Sequence, residues 1–125
     1  MELKKLTEEN AGQLKGKHIY LVRYFQDYIE ELYAAYPLLP FIEGVIDTDT
    51  ARQGGKAFHG RSFVVFGMEK LRTLPKNSAL IITTGYFTEE FDALQKTGLP
   101  DTVGNIIYYF ANRDTEYYEA YLEKY

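Results

Sequence analysis

The sequence predicts an α/β fold, a three-layer parallel sheet of about four to five strands with helices on both faces. Three observations predict it. Apolar runs of strand length alternate with segments of helical periodicity along most of the 125 residues. The runs His18-Ile19-Tyr20-Leu21-Val22 and Ala79-Leu80-Ile81-Ile82-Thr83-Thr84 are nearly continuous rather than alternating, the pattern of strands covered on both sides. Residues 17–46 read strand, helix, strand, the length of one right-handed βαβ crossover.

Each element has a local reason. Residues 1–16 form a lead-in, where Thr7-Glu8-Glu9-Asn10 offers a cap and acidic residues for a short helical turn. The first strand covers 17–22. In residues 24–36, Tyr24, Tyr28, Leu32 and Ala35 share one helical face with Phe25, Ile29 and Tyr36 beside them, and Pro37 and Pro40 stop that helix. Phe41 to Ile46 is a second strand ending at Asp47-Thr48-Asp49. Residues 48–61, with Gly54, Gly55 and Gly60 among Arg52, Lys56, His59 and Arg61, read as a long loop. Ser62 to Phe66 is a short strand, and Met68 to Leu74 gives one or two helical turns ended by Pro75. Ala79 to Thr84 is the next strand, closed by Gly85. Thr88-Glu89-Glu90 starts a helix that Gly98 and Pro100 end. Val103 to Phe110 makes a last strand. Tyr117, Tyr121 and Tyr125 lie on one stripe with Tyr118 and Leu122 beside it, so a C-terminal amphipathic helix follows Asp114.

Composition bounds the function. With 14 basic and 18 acidic residues the net charge is −4, so no general basic field attracts nucleic acid. No run approaches the roughly 20 apolar residues of a membrane span, and residues 1–16 are too charged for a signal peptide. The absence of cysteine excludes disulfides and thiolate chemistry. The expected address is the cytoplasm. Twelve tyrosines and eight phenylalanines fit an aromatic core, or a surface packed against a partner.

In doubly wound sheets ligands bind outside the carboxyl ends of the strands, near the switch point. That rule selects Arg23 to Phe25, Asp47 to Asp49 and Thr84 to Tyr86, and the ligand-binding candidates are Arg23, Tyr24, Gln26, Asp47, Asp49, Thr84, Gly85 and Tyr86. Arg23 either contacts a phosphate, with Gln26 near the helix start, or pairs with Asp47 or Asp49 across neighbouring strand ends. Asp47 and Asp49 without a third ligand make a poor cation site and read equally as a turn cap, so no metal is expected. Gly85 either admits a close ligand or ends a strand. His18 reads as structural. His59 is the one conceivable general base but has no recognisable nucleophile or orienting partner. No P-loop, G-x-S-x-G or H-E-x-x-H motif is present, and no catalytic residue is assigned.

The Lys-His-Ile-Tyr-Leu-Val strand, Ile46-Asp47-Thr48-Asp49, the Gly54-Gly55 and His59-Gly60 loop, Glu69-Lys70-Leu71 and Ile81-Ile82-Thr83-Thr84 follow one another in an order that resembles a known group. The group is the small Rossmann-like domains of bacterial surface-glycan and teichoic-acid-type biosynthesis proteins. It includes nucleotide-sugar-handling domains of sugar acyltransferases and N-terminal domains ahead of glycosyl- or glycerophosphotransferase modules. The likeness spans residues 16–110. It implies a Rossmann-like sheet, and in members that bind a nucleotide or nucleotide-sugar it implies a glycine-rich first turn and an acid meeting a ribose or sugar hydroxyl. Asp47 matches that acid, about 20 residues after the turn. The turn, Arg23-Tyr24-Phe25-Gln26, has no glycine.

The resulting expectation is one Rossmann-like domain over residues 1–125, the N-terminal part of a longer protein. It would be a non-catalytic accessory domain of a glycan or polymer transferase, without a cofactor. The alternative is a nucleotide or nucleotide-sugar binding module with a degenerate phosphate turn. The expected partner is a neighbouring domain of the same chain or a second copy, with no nucleic acid and no membrane span.

Overall fold

The computed structural model describes residues 2–58 and 60–109. Among them, seven strands form one sheet: β1 (Leu3–Lys5), β2 (His18–Val22), β3 (Gly44–Ile46), β4 (Gly54–Phe58), β5 (Arg61–Phe66), β6 (Ser78–Ile82) and β7 (Val103–Tyr108). Their order is β1-β7-β6-β2-β3-β5-β4. Every neighbouring pair is parallel except β4 with β5. The helices are α1 (Glu8–Gln13), α2 (Gln26–Ala35) and α3 (Phe87–Thr97), and Met68–Thr73 forms a 3₁₀ segment. The fold is α/β and Rossmann-like.

The buried strands follow from their sequences. Ile19, Leu21, Ala79 and Ile81 project to the face that packs on α1 and α2, through Ala11, Ile29 and Leu32. Tyr20, Val22, Leu80 and Ile82 project to the opposite face, toward Leu71 of the 3₁₀ segment and Phe87 and Leu94 of α3. Period-two alternation sends successive side chains to opposite faces, so a strand between two helical layers must be apolar throughout. Burying one such side chain contributes about 1.5–3 kcal/mol, so β2 and β6 anchor the domain.

Two strands correct the sequence reading, which had five and a loop over 48–61. Gly54–Phe58 pairs antiparallel with β5, from Gly54 opposite Val65 to Phe58 opposite Arg61. Leu3–Lys5 pairs with the end of β7, Leu3 opposite Ile106. Both lie at sheet edges, where one face of hydrogen bonds and little apolar burial suffice. The second βαβ strand is also shorter than expected, Gly44–Ile46, although Ile42 still reaches the core. The lead-in helix is α1, and its start is a reciprocal cap: the Thr7 amide donates to Asn10 Oδ1 at 2.7 Å and the Asn10 amide to Thr7 Oγ1 at 3.3 Å. α2 ends at Ala35 before Pro37, and α3 ends on Gly98, whose φ of 78° is the left-handed C-terminal cap. No helix among the described residues is long and apolar enough to cross a membrane. The expected C-terminal helix, Phe110 and His59 lie outside the described residues.

Candidate functional site

The chain leaves β2 into α2 on one face, and leaves β6 into α3 on the other. β2 and β6 are adjacent and parallel, so the connections diverge between them and leave a crevice at their carboxyl ends. A cavity of 420 Å³ occupies that crevice, lined by Phe25 to Tyr28 at the start of α2 and Thr83 to Tyr86 before α3. The two walls are stitched below the cavity, where the Thr83 hydroxyl lies 3.0 Å from the carbonyls of both Val22 and Arg23.

The lining is mainly aromatic and hydroxylic. Phe25 and Tyr86 keep 38% and 48% of their surface exposed at the cavity, which leaves apolar rings open to a ligand. Each of these residues is also the N-cap of its helix, and neither α2 nor α3 carries a side-chain cap. Thr84 is the one lining side chain with an unsatisfied polar atom: its hydroxyl is buried and has no hydrogen-bond partner among the described residues. Such an orphan costs about 1–3 kcal/mol, unlike a satisfied one.

Beside the cavity lies a charged network organised by Asp47, which is 0% exposed. Its Oδ2 accepts the Tyr24 amide at 2.8 Å, and its Oδ1 accepts the Asp49 amide at 2.9 Å and Arg23 NH1 at 3.2 Å. Arg52 NH1 stands 3.7 Å from Asp47 and 3.4 Å from Asp49. Burial opposes ionisation of Asp47, but the Tyr24 and Asp49 amides and then Arg23 outweigh it and hold its pKa below the usual carboxylate value. Arg23 also donates from Nε to Glu90 of α3 at 2.8 Å and from NH1 to the Thr48 hydroxyl. Burial disfavours its charge, yet Glu90 and Asp47 raise its pKa further.

All eight sequence-predicted residues therefore stand at the carboxyl ends of the strands, in two groups. Gln26, Thr84, Gly85 and Tyr86 line the cavity. Arg23, Asp47 and Asp49 join the ion-pair network instead. Tyr24 links the groups, with its amide on Asp47 and its hydroxyl on Gln26 Oε1 at 2.7 Å. Phe25, Asp27, Tyr28 and Thr83 also line the cavity and were not among the candidates. Their strand-end positions were the available signal, masked for Tyr28 by its place on the apolar face of α2. The structural reading of His18 gains a partner, as its Nδ1 lies 2.6 Å from Glu43. Among the described residues, no group of three or more His, Cys, Asp or Glu is placed to hold a metal.

The turn after β2 does not fit a pyrophosphate. A phosphate-binding turn presents free amides, but the Arg23 amide donates to Ile46 O at 2.8 Å and the Tyr24 amide to Asp47. Arg23 nonetheless holds φ at 83°, the left-handed conformation that glycine adopts at no steric cost. Fold and crevice together define a doubly wound α/β domain with a ligand-type cleft at its switch point. Comparison with family models, curated proteins and solved structures returned no match.

Proposed function

We propose that this chain is a non-catalytic, cytoplasmic Rossmann-like module of a bacterial surface-glycan biosynthesis protein, and that it holds a nucleotide or nucleotide-sugar at the switch-point cleft. The observation that carries the reading is the cavity itself, 420 Å³ between the carboxyl ends of β2 and β6 with exposed aromatic rings in its lining. Its lining supports binding over catalysis, since it offers one carboxylate, Asp27, and no histidine, lysine or arginine. The resemblance of the strand and loop order to glycan-biosynthesis domains supplies the ligand class.

A thermal-shift panel of nucleotides and nucleotide-sugars tests it. A ligand at a hundred times its dissociation constant stabilises by about 2.7 kcal/mol, which for a chain of this size raises Tm by about 10 °C. The expected result is a saturable shift with at least one class member, weakened in Phe25→Ala. No shift with any of them overturns the proposal.

A second reading, packing against a neighbouring domain, is favoured by Leu38. It is 90% exposed, next to a groove where Tyr33 and Phe41 stack at 5.4 Å under the Arg61 guanidinium. Leu38→Glu would then abolish association with that domain and leave ligand shifts intact.

A further inference from the structure

A nucleotide offers a protein two unlike ends, a charged phosphate chain and an uncharged planar base. The cleft has machinery for only one of them. Three phosphate-binding resources are already committed elsewhere. The amides of Arg23 and Tyr24 are bonded to Ile46 O and Asp47. The Arg23 guanidinium is shared between Glu90 and Asp47. The Arg52 guanidinium pairs with Asp47 and Asp49 and lies 4.5 Å over the outer side of the network, on the Phe25 ring. Both helix starts at the cleft carry acidic residues in their first turn, Asp27 in α2 and Glu89 and Glu90 in α3, which offset the favourable end of each dipole.

What the lining does offer suits the other end. Phe25 and Tyr86 present partly exposed rings, and aromatic stacking on a base contributes about 1–3 kcal/mol whatever the base. Thr84, 92% buried by its 8% exposure, brings a hydroxyl without a partner, free to donate to or accept from the hydrogen-bonding edge of a planar ring. Building on the reading of the cleft as a nucleotide-type site, we infer that it seats the uncharged nucleoside end of its ligand and does not recognise phosphate. The phosphates and any attached sugar extend from the mouth of the cleft toward solvent or a neighbouring domain.

The test is calorimetry on the full chain with the four common nucleosides, their diphosphates and inorganic pyrophosphate, at low and high salt. One nucleoside is expected to bind within about threefold of its diphosphate, with little change on adding salt, because no ion pair with the ligand is made. Pyrophosphate is expected not to bind. Thr84→Val keeps the side-chain shape and removes the hydroxyl; it is expected to weaken the nucleoside about tenfold while leaving Tm equal or higher. A diphosphate that binds more than about tenfold tighter than its nucleoside, and loses that advantage in salt, overturns this inference and leaves the cleft a nucleotide site. Full affinity in Thr84→Val overturns the role given to its hydroxyl. Absence of binding by every nucleoside and nucleotide overturns the reading of the cleft on which the inference rests.

Discussion

Replacing Asp47 by asparagine tests the network beside the cleft. The side chain is fully buried and accepts two backbone amides and one guanidinium, with a second guanidinium at 3.7 Å. Asparagine keeps one acceptor oxygen but turns an NH₂ donor toward groups that are themselves donors. Removing one partner of a buried charge pair costs about 3–5 kcal/mol. The lower end applies, because Arg23 keeps Glu90 and is 24% exposed. About 3 kcal/mol corresponds to a fall in Tm of about 10 °C at this chain length. Acid should narrow the difference. Folding lowers the Asp47 pKa, so its contribution is complete above the unfolded value of about 3.9 and is lost as pH falls through the folded value. Urea unfolding followed by circular dichroism, from about pH 7 downward, should show wild type losing stability below about pH 4 and the variant losing less. A gap below about 0.5 kcal/mol at neutral pH, or one unchanged by acid, refutes this account of the network.

Three further substitutions have defined outcomes. In Gly44→Ala the new Cβ would lie 2.8 Å from Phe66 Cε2 and 3.1 Å from Tyr20 Cε1, so denaturant unfolding should show a loss of about 1–3 kcal/mol. Asn77 holds φ at 63° and its Oδ1 accepts Lys17 Nζ at 2.8 Å; Asn77→Ala should cost about 1 kcal/mol more than Asn77→Gly. Thr83→Val removes the hydroxyl shared by the Val22 and Arg23 carbonyls, which should cost about 1–3 kcal/mol and speed amide exchange at the start of α2.

The fold was legible where burial is two-sided. β2 and β6 read as strands because both of their faces must be apolar, and no helical stripe has that composition. β4 was illegible because Gly54-Gly55-Lys56 has neither β-propensity nor an apolar face, and its conformation comes from pairing with β5. β1 was hidden for the same reason, as Leu3-Lys4-Lys5 offers one apolar residue and a partner far along the chain. At the cleft, the rule of strand carboxyl ends found Thr84 to Tyr86 and the Asp47 acid. It could not divide cavity residues from network residues, because that division depends on Glu90, 67 residues from Arg23 in sequence. The missing glycine was informative about phosphate, yet the backbone at Arg23 kept the conformation a glycine would have had.

The pairing of Leu3 with Ile106 constrains the order in which the domain can be completed. Closing so long a loop delays the contact beyond any hairpin, and parallel pairings of this kind slow folding. During synthesis at about 5–20 residues per second, Leu3–Lys5 waits on the order of ten seconds for its partner strand. Until then the side of β6 that will receive β7 is an open edge, and a nascent chain carries both halves of its last seam unsealed.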